Sequence, residues 1–172
     1  MNSLHDVLIE ELKDIYSAER QLIKALPHMA NAAATPELRD AFEHHLAETK
    51  EQLDRLDRAF VHLGGSPRGK VCRAMKGLIE EGTAVLEADG DDSVRDAALI
   101  GAAQRVEHYE MSAYGTARAH AELLGLGKVV ELLSATMEEE RAADEKLTRL
   151  AEDGINERAL QVRVLEEDQA TA

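Results

Sequence analysis

Apolar residues recur every three or four positions along four long stretches of the chain, the spacing of one face of an amphipathic helix. The first stretch predicts a helix from about Leu4 to Ala30, which Pro27 is expected to kink or end locally. Thr35-Pro36 predicts the start of a second helix, with the threonine as its cap and the proline in its first turn. Gly64-Gly65 is expected to end that helix.

The connection that follows, residues 64–92, contains a predicted short amphipathic helix, roughly from Val71 to Glu87. A third long helix is predicted from about Val94 to Leu123, and a fourth follows a tight glycine turn and ends near Asp153-Gly154. Because the turns within each pair are short, each pair is expected to be antiparallel. Two such hairpins joined by a long crossover with a short fifth helix predict an all-α, ferritin-like four-helix bundle.

Composition narrows the class of protein further. The 172 residues favour one bundle domain, residues 1–155, followed by an acidic C-terminal tail, residues 156–172. A net charge of −14 argues against nucleic acid or an anionic membrane as partner. The single cysteine, Cys72, excludes an internal disulfide and a cysteine-rich metal site. With no membrane-spanning apolar run and no signal-peptide pattern, we expect a cytoplasmic protein.

Each long helix carries a glutamate on or beside its apolar stripe, at Glu19, Glu48, Glu107 and Glu140. All four lie near the middle of their predicted helices, so an antiparallel bundle is expected to bring them to one level. A single acid beside a stripe usually belongs to a solvated face, but unrelated acids have no reason to share a height. Four buried carboxylates repel one another and lose hydration, and two divalent or trivalent metal ions relieve both costs.

The usual ligand pattern of ferritin-like carboxylate proteins includes a histidine after two of the glutamates, as Glu-x-x-His. This sequence departs from it, since neither Glu48 nor Glu140 is followed by a histidine at that spacing. Glu107 and Glu110, separated by three, are able to face one site, and an oxygen-rich set favours iron or manganese over zinc or copper. The residues three and four places after the two glutamates are Glu51, Gln52, Ala143 and Asp144.

Other candidate residues have a plainer interpretation. His45 lies one turn before Glu48, where a metal ligand is conceivable and a polar interface role is favoured. Tyr16 and Tyr114 have the spacing to hydrogen-bond the carboxylates or carry electrons, although core packing is the better expectation for both. Cys72 has no neighbouring histidine in sequence, which favours a structural role.

Five strings of sequence, taken as an ordered set over residues 4–155, resemble the YciE/YciF family of bacterial ferritin-like stress proteins. The resemblance implies a ferritin-like bundle, a relationship to rubrerythrin-type di-iron sites and a homodimer. Gln52 and Asp144 agree with the family pattern, so the resemblance adds them to the candidate ligands Glu19, Glu48, Glu107, Glu110 and Glu140. The strings are DIYSAERQL from Asp14, HLAET from His45, GLIEE from Gly77, AAQRVEHYE from Ala102 and EEERAAD from Glu138.

The leading functional hypothesis is a di-metal carboxylate protein of the stress response, with two iron ions per chain or, as an alternative, manganese. It would react with dioxygen or peroxide, or bind and oxidise iron, and enzymatic turnover stays open. The absence of a Cys-x-x-Cys motif makes any electron donor an external one. Two alternatives stay open, a dimanganese catalase-like site and a metal-free structural or interaction protein that kept the fold without the chemistry.

Overall fold

The computed structural model describes residues 1–162, and four long helices form the predicted bundle. Helices α1 and α2 form one antiparallel hairpin, α4 and α5 form the second, and α3 lies in the crossover between them, packed on α1 and α4. This confirms the ferritin-like four-helix arrangement predicted from the sequence. The helices are α1 Leu4–Ala32, α2 Pro36–Leu63, α3 Arg73–Glu87, α4 Asp92–Leu123 and α5 Gly127–Leu150.

Pro27 lies inside α1 and does not end it, contrary to one of the two outcomes expected for it. A proline removes one backbone hydrogen bond and crowds the preceding turn, a cost of about 3 kcal/mol in an isolated helix. Here Leu22, Leu26 and Ala30 are buried on both sides of the proline, and their packing holds the helix together.

The start of α2 is stabilised differently from the sequence prediction. Thr35 occupies the cap position, but its side chain makes no capping hydrogen bond. The buried carboxylate of Asp96 on α4 accepts the backbone N–H groups of Ala34 at 2.9 Å and Thr35 at 2.8 Å. At the other end, Gly64 adopts a left-handed φ of 66°, which ends α2 as predicted.

The apolar core consists of two clusters at opposite ends of the bundle, separated by a layer of buried polar residues. One cluster, which includes Leu26 and Phe42, also packs under α3. The other includes Leu12, Phe60 and Leu133. The polar layer between them contains Glu19, His45, Thr49, Gln52, Glu107, Glu110, Thr136 and Glu140.

Beyond α5 the chain kinks within residues Ala151–Ile155, where Gly154 has a non-helical φ of 130°. Ile155 is buried in the core, and Arg158 donates a hydrogen bond to the Thr35 hydroxyl at 3.2 Å. Residues 156–162 are helical, and the rest of the predicted acidic tail, residues 163–172, lies outside the described residues. None of the helices in residues 1–162 has the length and apolarity to cross a membrane.

Candidate metal centre

Four carboxylates and one imidazole are buried together at the middle of the bundle. Glu19 comes from α1, His45 from α2, Glu107 and Glu110 from α4, and Glu140 from α5, and none is more than 5% exposed. Each belongs to the face that its helix turns to the core, which is why helical spacing brings them to one layer. All four bundle helices therefore contribute to one polar site.

His45 lies at the centre of this cluster. Its Nε2 atom is 3.4 Å from Glu107 Oε1 and 3.7 Å from Glu140 Oε2, and its Nδ1 atom is 3.6 Å from Glu48 Oε2. One ligand atom each from His45, Glu107, Glu110 and Glu140 lies within 4.8 Å of the others. These four side chains are close enough to bind a common ion.

Most buried side-chain nitrogen and oxygen atoms without a hydrogen-bond partner in residues 1–162 belong to this layer. An unsatisfied buried polar atom costs about 1–3 kcal/mol, and more when it is charged. Carboxylates that are buried but lack partners are what a metal ion would satisfy, so the residues present fit such a group. The atoms are Glu19 Oε2, Gln52 Oε1, Glu107 Oε2, and both polar atoms of His45, Glu110 and Glu140.

Three of the buried glutamates have raised pKa values and are therefore weaker acids than an exposed glutamate. Burial raises the pKa of Glu19 to about 7, even though the hydrogen bond from Tyr114 and the charge of His45 oppose the shift. Burial, together with the charges of Glu19 and Glu107, raises the pKa of Glu110 well above its ordinary value. The pKa of Glu140 is raised well above normal by burial and by the charges of Glu110 and Glu107. Without a cation, the site favours neutral carboxyl groups.

The pKa of His45 is also raised, but for an imidazole this favours the charged form. Burial alone would lower its pKa, but the negative charge of Glu107 and the nearby carboxylates of Glu48 and Glu19 raise the pKa to about 9. In the metal-free protein the imidazole therefore carries a positive charge near neutral pH. Binding of a metal through this ring requires the loss of its proton, so metal and proton compete for the same nitrogen.

Tyr114 adds a hydrogen bond rather than apolar packing alone. Its hydroxyl donates to Glu19 Oε1 at 2.5 Å, and the ring is fully buried in the cluster around Leu12 and Leu133. The packing expected from the sequence and the hydrogen bond that was the alternative are thus both present. The bond fixes one carboxylate oxygen and leaves Glu19 Oε2 without a hydrogen-bond partner.

Two predicted ligands lie at the edge of the site. The Glu48 side chain is 26% exposed and lies 3.3 Å from His44 and 3.6 Å from His45, and the nearby His45 ring is the main cause that lowers the pKa of Glu48. Gln52 is fully buried and its amide donates to Glu139 Oε2 at 3.2 Å, while its Oε1 atom is unpartnered. Glu48 is close enough to His45 to remain a candidate, and a ligand role for Gln52 remains a prediction from the family resemblance.

Asp144 lies outside the group of four. Its Oδ1 atom accepts a hydrogen bond from Gln104 at 3.1 Å and lies 3.4 Å from His108 Nε2. The side chain is also partly exposed, at 19%. The structure thus places Asp144 in a polar contact between α4 and α5, and its role as a ligand remains a prediction from the family resemblance.

His45 is the central residue that sequence reasoning ranked too low. The polar interface role favoured for it does not describe a 5% exposed imidazole surrounded by three carboxylates. The signal was its position three residues before Glu48, whereas the usual pattern places the histidine after the glutamate. Imidazole nitrogen and carboxylate oxygen together suit iron, manganese and related divalent metals, without selecting one of them.

The fold and the site together define a ferritin-like four-helix protein with a buried cluster of glutamates and a histidine. The chain belongs to the family described as a domain of unknown function, DUF892, which matches residues 3–160. Protein YciF of Escherichia coli (strain K12) is 46% identical over 160 residues, covering 92% of this chain and 96% of that protein. The family resemblance inferred from the sequence is confirmed.

Solved structures agree with this assignment. The crystal structure of the E. coli stress protein YciF matches with a TM-score of 0.88 and 46% identity, over 91% of this chain and 99% of that one. The structure of YcfI of Rhodopseudomonas palustris matches with a TM-score of 0.84 and 42% identity, over 86% of this chain and 94% of that one. The structure of ferritin-like, diiron-carboxylate proteins of Bacillus anthracis matches with a TM-score of 0.67 and 20% identity, over 87% of this chain and 99% of that one. At this identity the likeness shows the fold alone.

Proposed function

We propose that this protein binds two metal ions in the buried carboxylate layer, with iron as the native metal, and serves the stress response through reaction with dioxygen or peroxide. The observation that carries the proposal is the set of buried carboxylate and imidazole atoms without hydrogen-bond partners. The relative called a stress protein and the fold neighbours called diiron-carboxylate proteins support the same assignment.

His45, Glu107, Glu110 and Glu140 form the central ligand group in this proposal, because their ligand atoms already lie within reach of one ion. Glu19 and Glu48 supply the additional carboxylates that a second ion needs. A metal pair in such a site supplies the electrons that reduce an oxidant. The chain itself holds the ligands by packing, fixes Glu19 through Tyr114 and shields the site with two apolar clusters.

One observation favours the metal-free alternative, a helical structural or interaction protein. A protonated His45 beside Glu107, with the pKa values of Glu19, Glu110 and Glu140 all raised, leaves the buried layer with little uncompensated charge. Such a layer is tolerable without metal, so the two functions differ in affinity for metal and not in fold.

Anaerobic titration with Fe(II) and with Mn(II), followed by metal analysis, tests the proposal. We expect up to two ions per chain, as a carboxylate-bridged pair requires. Replacement of Glu138, an exposed neighbour on α5, by glutamine is the matched control and is expected to bind as much metal as wild type. Failure of the wild type to retain either metal would establish the metal-free alternative.

We also propose that the protein is a homodimer and draws electrons from an external donor. An apolar groove of about 570 Å³ between α1, α3 and α4, lined by Leu22, Leu78, Ile79 and Leu86, supports association through the crossover helix. Light scattering checks this: a mass equal to the 18.9 kDa monomer at micromolar concentration would contradict the dimer.

A further inference from the structure

A cavity of about 220 Å³ lies between α2 and α5 and opens the buried layer toward the surface. Candidate ligands form part of its lining, since Glu48, His45 and Glu107 all border it. Exposure falls along this series, from 26% for the Glu48 side chain to 6% for His45 and 3% for Glu107. The cavity therefore runs from solvent to the atoms that surround His45.

Side-chain hydrogen bonds join α2 and α5 directly next to the site. Arg55 on α2 donates two hydrogen bonds to the Glu139 carboxylate, at 2.5 and 2.6 Å, and a third to Thr136 at 3.3 Å. Gln52 donates to the same carboxylate. These contacts lie next to the site on one side, while the cavity lies on the other.

Small and apolar side chains form part of the cavity wall. Ala41 and Phe42 line it from α2, and Ala142, Ala143 and Leu147 line it from α5. Ala143 is half-buried, so a longer side chain at this position would project into the opening instead of away from it. The passage owes its width to these small residues.

Basic groups border the mouth although the chain carries a net charge of −14. His44 lies 3.3 Å from Glu48, and Lys146 and Arg149 line the same cavity. Arg149 is engaged with Glu145 at 3.8 Å, which leaves Lys146 as the cationic side chain nearest the entrance to the site. Positive charge at an opening favours small anions over cations in the encounter step.

We propose that this cavity is the passage through which small neutral and anionic molecules, such as dioxygen, peroxide and azide, reach the carboxylate layer, and that Ala143 sets its width. Its volume holds about seven water molecules at about 30 Å³ each, enough for molecules of a few non-hydrogen atoms. The purpose of the passage rests on the proposed metal function, but its existence does not.

Dissolved dioxygen tests the passage in the metal-free protein, because it accelerates the relaxation of nearby methyl protons in nuclear magnetic resonance spectra. Leu147 lines the cavity and Leu26 does not, and both are 4% exposed. We expect at least about twofold greater enhancement at Leu147, and its loss in Ala143→Leu. Equal enhancement at the two leucines in wild type would overturn the proposal, whatever metal the protein binds.

Azide binding to Co(II)-loaded protein, followed by absorbance, gives the second measurement. We expect Ala143→Leu to bind Co(II) with unchanged stoichiometry but to react with azide at least about tenfold more slowly. Ala142→Phe, at an exposed position of the rim, is expected to slow the reaction without any risk to the core. Lys146→Gln should slow azide binding by about two- to fivefold and leave the dioxygen effect unchanged.

Ala113→Leu is the matched control, since Ala113 is half-buried on α4 and lines a different cavity beside Asp14 and Tyr109. It should resemble wild type in both measurements. Azide rates that are unchanged in both Ala143→Leu and Ala142→Phe would refute the passage. If wild type takes up no Co(II), the proposed metal function fails, and the dioxygen measurement alone decides the passage.

Discussion

Glu110 is the ligand candidate whose replacement best separates metal binding from structural stability. Both of its carboxylate oxygens are buried without a hydrogen-bond partner, and no ion pair involves it among residues 1–162. Glu107, by contrast, faces the His45 ring at 3.4 Å, so its removal also breaks a buried pair. Glu110→Gln keeps the shape of the side chain and removes only its capacity to carry negative charge.

The metal-free protein is expected to keep or gain stability. Burial raises the pKa of Glu110, so the folded protein holds this side chain as a neutral acid at a pH where the unfolded chain ionises it. By linkage, an acid with a raised pKa lowers the free energy of unfolding once the pH exceeds its unfolded value. Glutamine does not ionise in either state, so Glu110→Gln should raise the free energy of unfolding at pH 7 or leave it unchanged.

With metal the two proteins should differ clearly. At a metal concentration of about 100 times Kd, one bound ion stabilises wild type by about 2.7 kcal/mol. For a chain of this size that raises Tm by about 5–11 °C. An affinity about 100-fold weaker reduces the gain at the same concentration to about 0.4 kcal/mol, or about 1–2 °C.

Thermal unfolding followed by circular dichroism, with and without Mn(II) under anaerobic conditions at pH 7, measures both quantities. Glu122→Gln, an exposed change on the same helix, is the control and should keep the full metal-dependent rise. The reasoning is refuted if Glu110→Gln keeps the wild-type rise, since Glu110 would then not be a ligand. A metal-free loss of more than about 3 kcal/mol would instead indicate a structural interaction.

Two further predictions concern residues outside the site. Asp96→Ala removes the acceptor for the N–H groups of Ala34 and Thr35, so urea unfolding should show a free energy of unfolding lower by about 2–4 kcal/mol. The control is Asp92→Ala at an exposed position, which should lower it by about 0.5 kcal/mol or less. A loss below about 1 kcal/mol for Asp96→Ala would contradict the capping role. Cys72 is buried, and this burial together with the nearby Asp14 carboxylate raises the pKa of its thiol. A thiol reagent at pH 8 should therefore label it only after unfolding in guanidinium chloride. Labelling of the native protein at the unfolded rate would show that the thiol is accessible.

The helices and the acid layer were predictable because both follow from local spacing. A stripe of Leu8, Leu12, Ile15, Glu19 and Leu22 determines which face of α1 is buried, and Glu19 is buried with it. The height of each glutamate along the bundle axis could be estimated from the predicted ends of its helix, and the short turns define those ends well. The same logic placed Glu107 and Glu140 at one level, and the structure buries both there.

Contacts between distant parts of the chain were not predictable in this way. Asp96 caps a helix that begins about sixty residues earlier, and no local pattern around Thr35 announces it. His45 was ranked low because its partners, Glu107 and Glu140, are on other helices and its spacing to Glu48 is reversed. Exposure of Glu48 likewise depends on the opening between α2 and α5, which spacing along α2 alone does not reveal.

The separation of the apolar core into two clusters has a consequence for how the bundle opens. Apolar contact is interrupted at the polar layer, so each end of the bundle buries its own side chains with little help from the other. In the metal-free protein, amide hydrogen exchange should therefore report two units of different opening free energy. An ion held by His45, Glu107 and Glu140 joins three helices at the boundary between the units, and the bundle then opens as one.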